Sequence, residues 1–156
     1  MIENSESEVR QSAEQLFAGG LYCAESVVAA LAKAQGIESD LLSRAATGFC
    51  GGMARTCGPC GALTGAVMGV GLAFGRSESG KPVQAAYAAT QQLIGEFETE
   101  FGARNCDELL GCDLGTADGQ ARFKQENLRE RCQHYTGRAA EIAARLIGEQ
   151  QGANAA

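Results

Sequence analysis

The sequence predicts an all-α domain, a compact bundle of about six to eight helices around one central glycine-rich helix. Three observations carry that expectation. Of 156 residues, 27 are Ala and 21 are Gly, so small side chains dominate the chain. Only 11 are Val or Ile, which sheets favour, whereas Ala is the strongest helix former. Apolar residues recur at spacings of three and four, and no alternating strand run is present. The length corresponds to a single domain spanning residues 1–156, with a core over about residues 5–148 and frayed termini.

Each element follows from local signals. Val9, Ala13, Leu16 and Phe17 form one helical face, capped by Ser5 or Ser7 and stopped by Gly19-Gly20. Ala24, Val27, Val28 and Leu31 form a second, ending at Gly36, and Ser39 caps a shorter helix to about Thr47. The glycines of 48–58 predict a loop. Residues 56–75 then carry no charge, and six of these 20 are Gly. A stretch that long could cross a bilayer, but its glycines, Pro59 and polar Thr residues favour a buried central helix over Cys60–Phe74. Gly61, Gly65, Gly69 and Ala73 fall four apart, a ridge where another helix, in the same chain or in a homodimer, can approach closely. Pro82 suits the first turn of a helix running to Phe101, and Gly102 stops it. Asn105 caps Cys106–Leu110, a turn-rich link follows, and two helices close the chain at about 120–131 and 136–148.

Thirteen basic and 19 acidic residues give a formal charge of −6. That balance argues against a nucleic-acid partner and against docking on an anionic membrane, both of which need clustered basic residues. The acidic N-terminus lacks the apolar stretch of an export signal, so a cytoplasmic, reducing location is expected. There, seven cysteines point to metal or redox chemistry rather than structural disulfides.

Four of the seven, Cys23, Cys60, Cys106 and Cys132, fall near predicted helix starts. Unpaired N–H groups there favour thiolate, the form that attacks disulfides and ligates metals. Cys57-Gly58-Pro59-Cys60 is a C-x-x-C pair, able to close a disulfide or grip one ion, but the βαβ surroundings of a thioredoxin are missing. A Cys50, Cys57, Cys60 cluster is a further arrangement the spacing allows. His134, the single histidine, is expected to be solvated, and no C-x-x-C-H string exists for haem c.

Cys60-Gly61-Ala62-Leu63-Thr64-Gly65 resembles the C-G-A-x-x-G core of a family of putative redox-active proteins with four spaced cysteines. Tyr22-Cys23-Ala24-Glu25, Gly48-Phe49, Gly51-Gly52-Met53, Cys106-Asp107-Glu108-Leu109-Leu110-Gly111 and Cys132 agree in order, from about Leu21 to Leu146. The resemblance implies that Cys23, Cys60, Cys106 and Cys132 are the family's four cysteines. It also implies a likeness to the helical, non-haem part of split-Soret cytochrome c, with its suspected iron–sulfur site. The chain departs from the pattern with Cys50, where glycine is usual, and with Cys57 just before the core. Cys57, Cys50 or Cys112 could therefore replace one of the four as a ligand.

Three functions compete. The first is an electron-transfer protein holding an iron–sulfur cluster through thiolates and serving a redox partner protein that the sequence does not identify. The second is a dithiol oxidoreductase using Cys57 and Cys60 as the exchange pair. The third is an interaction module built on structural zinc, ranked last because such sites use two close cysteine pairs and only one is present. For the shared-site readings, at least three of the four spaced cysteines should meet at one centre, with Cys112 nearby.

Overall fold

A computed structural model describes Ile2 and residues 4–156. The fraying expected at Met1 and Glu3 lies outside these residues. Among the described residues the chain is helical with no β-strand, as expected.

Ser5 caps α1 (Glu6–Ala18): its hydroxyl accepts the Glu8 N–H, and the Glu8 carboxylate accepts the Ser5 N–H at 2.7 Å. In α2 (Cys23–Ala34) the expected stripe of Ala24, Val27, Val28 and Leu31 is fully buried. Ser39 caps α3 (Asp40–Ala46), and a 3-10 turn over Thr47–Phe49 leads to α4 (Cys50–Arg55). The central α5 (Gly61–Phe74) lies against α2 and α9 (Arg129–Ala155), with α6 (Gln84–Phe101) on its other side. The short α7 (Cys106–Leu110) and α8 (Ala117–Gln125) lie between α6 and α9 in the chain, and α1 runs along α9.

The glycine ridge of α5 is a packing surface. A Cβ at Gly65 would stand 2.6 Å from the Ala24 carbonyl oxygen and 2.9 Å from its Cα, and one at Gly69 would meet the Leu31 side chain. The backbones of α2 and α5 therefore touch, which offsets the cost of glycine in a helix, about 0.5–1 kcal/mol per residue. Since α2 of the same chain fills the ridge, it is not open to a second copy. Burial is not complete along α5: Gly71 is exposed and the last turn reaches the surface.

Three boundaries differ from expectation. Where a loop was expected, α4 is wound left-handed, with φ of 67°, 70°, 59° and 55° at Gly51, Gly52, Met53 and Ala54, and 66° at Arg55. For L-residues this winding costs about 1–2 kcal/mol each. The Gly52 carbonyl helps hold it by accepting the N–H groups of Thr56 and Gly58 at 3.1 and 2.9 Å. The closing helices also differ: α8 stops at Gln125, and α9 runs unbroken from Arg129 instead of starting at Thr136. Asn127, with φ 51°, makes the break, while residues 131–136 hold no Gly or Pro to make one. Finally, α6 begins at Gln84 with Val83 as its cap, so Pro82 precedes the helix.

Candidate thiol centre

Cys23 is the first residue of α2, Cys60 the N-cap of α5, Cys106 the first residue of α7 and Cys132 the fourth residue of α9. Three local devices bring them together. An isolated antiparallel bridge joins Pro59 to Asn105: the Cys60 N–H donates to the Arg104 carbonyl at 2.7 Å, and the Cys106 N–H to that of Gly58 at 2.9 Å. This sets the starts of α5 and α7 side by side. The absence of a side chain at Gly61 lets the Cys23 sulfur rest against the first turn of α5. The Tyr135 hydroxyl donates to the Leu109 carbonyl at 3.2 Å, tying α7 to α9.

As a result, Cys23, Cys60, Cys106 and Cys132 all line one narrow cavity of about 30 Å³, together with Gly51, Gly52 and Gly61. Leu109, Leu110, Leu114 and Tyr135 complete its wall. The glycines matter here: a Cβ at Gly52 would collide with the Cys106 Cβ, and one at Gly61 with the Cys23 sulfur. The left-handed winding of α4 thus delivers bare backbone to the thiols. The cavity shares Cys23, Gly51, Leu114 and Cys132 with an open groove of about 680 Å³.

Helix starts were expected to favour thiolate, but at Cys60, Cys106 and Cys132 burial outweighs them. Cys60 is pushed up to about 12 by burial, although the Ala62 and Leu63 N–H groups pull it the other way. Cys132 is pushed up to about 12 and Cys106 to about 11, burial again leading, with neighbouring cysteines adding to it. The physical reason is desolvation: removing a thiolate from water costs more than a helix start returns. All seven cysteines are free thiols in this structure.

The three additional cysteines flank the cavity. Cys50 is buried behind Cys23, and its thiol, held protonated chiefly by hydrogen bonding to Cys23 and by burial, donates to Glu25 Oε1 at 3.6 Å. Cys112 is near Cys106 and Cys132, as expected, and contributes to the upward shift of both. Cys57, in a left-handed conformation with φ 60°, is raised by desolvation and by Asp113 and Asp107. Cys60 instead has Cys132 and Cys106 as its thiol neighbours, so the C-x-x-C pair turns its sulfurs to different surroundings. His134 is exposed, stacks edge-on against Phe101 and faces Arg10. Among the described residues, no three His, Cys, Asp or Glu side chains are grouped as ligands of a single metal ion.

Sequence reasoning missed two features. The closeness of Cys23 to Cys50 has no signal in a separation of 27 positions. Asp107 was not singled out, yet its Oδ1 is buried without a hydrogen-bond partner beside Cys106.

An all-helical domain whose widely separated cysteines converge on one narrow cavity defines a class of thiol-centred helical protein. A family model described as "Putative redox-active protein (C_GCAxxG_C_C)" matches residues 21–146, and the chain belongs to that family. The string in that description has Gly before Cys, where this chain reads Cys60-Gly61. No curated protein and no solved structure matches the chain. Among the described residues, no helix is long and apolar enough to cross a membrane.

Proposed function

We propose that the protein is a cytoplasmic electron-transfer protein in which Cys23, Cys60, Cys106 and Cys132 hold an iron–sulfur cluster through their thiolates. The observation that carries this reading is the shared cavity lined by all four. Four cysteines far apart in sequence reach this one cavity, a convergence that the packing of small apolar groups does not require. With a cluster bound, the thiols that burial keeps protonated would lose their protons to become its ligands, and thiolate is the donor iron–sulfur clusters use. The cluster would supply one-electron transfer with a redox partner protein.

The donor set, four cysteine sulfurs, suits such a group by its chemistry. The cavity, about one water in size, requires the side chains to move outward on loading. Zinc is less well supported, since structural zinc sites use two close cysteine pairs and this chain has one, Cys57 and Cys60. The chain's own residues have definable tasks. Cys60 and Cys106 are held in register by the Pro59–Asn105 bridge, and the Leu and Tyr135 walls limit water at the centre. Cys112 and Cys57 flank Cys106, and Cys50 flanks Cys23, as substitute ligands.

Protein purified anaerobically from iron-replete cells should be brown, with iron and acid-labile sulfide. Serine at position 23, 60, 106 or 132 should remove most of both, whereas Cys112→Ser should retain them. Colourless, iron-free protein from such cells overturns the reading.

A further inference from the structure

The open groove beside the cavity has a composition at odds with the rest of the chain. The protein carries a net charge of −6, yet the groove is lined by Arg55, Lys124 and Arg129 and by no Asp or Glu. None of these three cations is in an ion pair among the described residues. Phe17, Tyr22 and Phe123 provide apolar walls, and the volume of about 680 Å³ is that of a small-molecule site. Cys23, Cys50 and Cys132 face into it.

Two of these thiols form a close pair. Gly61 brings them together: a Cβ there would collide with the Cys23 sulfur and stand 3.1 Å from the Cys50 Cα. Cys50 belongs to a small buried cluster with Ala24, Val28 and Ala46, against which Cys23 packs. Cys23 is the more exposed of the two and opens α2, while Cys50 is buried behind it.

We propose that Cys23 and Cys50 are a dithiol couple that reduces an anionic small-molecule disulfide bound in this groove. The Cys23 sulfur attacks one sulfur of the bound disulfide, breaking its S–S bond. The first small thiolate leaves and takes up the proton that Cys23 gave up. The Cys50 sulfur then attacks the Cys23 sulfur of the mixed disulfide, and the second small thiolate leaves with the proton from Cys50. Two electrons pass from the two protein thiols to the small disulfide. The products are a Cys23–Cys50 disulfide and two small thiols. Glu25, whose Oε1 is 3.6 Å from the Cys50 sulfur, is the acceptor in reach of the Cys50 proton. The couple goes beyond the cluster reading and does not depend on it, although Cys23 can serve only one of the two at a time.

The test uses the full chain as isolated and the Cys106→Ser full chain, which lacks one proposed cluster ligand but keeps the couple. Each is exposed anaerobically to oxidised glutathione, acid-quenched, alkylated and peptide-mapped, with iron and sulfide assayed on the same samples. A linked Cys23–Cys50 peptide should accumulate in Cys106→Ser, and a Cys50→Ser chain of the same background should stop at a glutathione adduct on Cys23. A link in Cys106→Ser but not in iron-loaded wild type supports the couple and shows a cluster masking it. No Cys23–Cys50 link in either chain, or a Cys57–Cys60 link in its place, overturns the couple whatever the iron content. Lys124→Glu should slow the reaction with oxidised glutathione about ten-fold while sparing that with the cationic disulfide cystamine. Equal rates before and after the substitution overturn the assignment of anionic substrates.

Discussion

The two ends of α5 are built by different physics. Along its middle, Gly65 and Gly69 press against Ala24 and Leu31 of α2, and the interface is held by close contact of small residues. At its start, Cys60 meets Cys23, Cys106 and Cys132 around a cavity, and the backbone nearby winds left-handed through four non-glycine residues, Met53, Ala54, Arg55 and Cys57. The first region is what folding alone requires. The second combines backbone strain with several buried thiols in one place, which is the pattern expected of a site retained for its chemistry.

The largest expected effect separates the two ends by pH. Thiols raised by folding are protonated in the native state while the unfolded chain loses its protons from about pH 9. Stability is therefore complete below that pH and falls as pH rises toward the raised values of Cys106, Cys60 and Cys132 at about 11 to 12. In metal-free reduced protein the loss between pH 9 and 10 should be about 1 kcal/mol for each of the three thiols. Denaturant titrations across that range check it, and Cys60→Ala should lessen the slope. An unchanged slope would mean that the thiol end does not differ from the rest of the bundle.

Gly65→Leu attacks the other end. Its side chain has only the α2 backbone to meet, so it should destabilise the fold by about 1–3 kcal/mol or more through overpacking. A wild-type urea midpoint would remove the distinction between a packed ridge and a chemical end.

Gly52→Ala tests the strained segment with less disruption. A left-handed Ala costs about 1–2 kcal/mol, and its Cβ would collide with the Cys106 Cβ. Chemical denaturation should show that loss, and iodoacetamide should modify Cys106 faster than in the wild type. Unaltered Cys106 alkylation would show that α4 does not shape the cavity.

The smallest effect belongs to Ser26, fully buried on α2 with a hydroxyl that has no hydrogen-bond partner. Ser26→Ala should leave stability unchanged or raise it by up to about 1 kcal/mol, read from the thermal midpoint. A clear loss would mean that the hydroxyl has a structural task within the packed interface.

Local signals made most helices legible: the Ser5 and Ser39 caps, the Gly102 and Gly111 stops, and the stripes on α1 and α2 all act within a few residues of themselves. The small-residue ridge of α5, Gly61, Gly65, Gly69 and Ala73, was legible for the same reason, because periodicity along one helix defines a face before any partner is known. The cysteine order was legible as a family pattern. The left-handed winding of α4 was not, since Met53, Ala54 and Arg55 have no intrinsic preference for positive φ and adopt it only with the bonds around Gly52 and Gly58 in place.

By itself, then, the sequence determined most of the helices, the small-residue face of α5 and which thiols stand near helix starts, while the structure supplied α2 as the partner of that face. Tertiary structure alone decided which thiols meet, that Cys50 lies behind Cys23, and that Cys57 faces carboxylates while Cys60 faces Cys132 and Cys106. It also decided their protonation. A helix start acts over one turn and can be read locally, whereas desolvation depends on everything packed around a sulfur and exists only once the chain has closed over it.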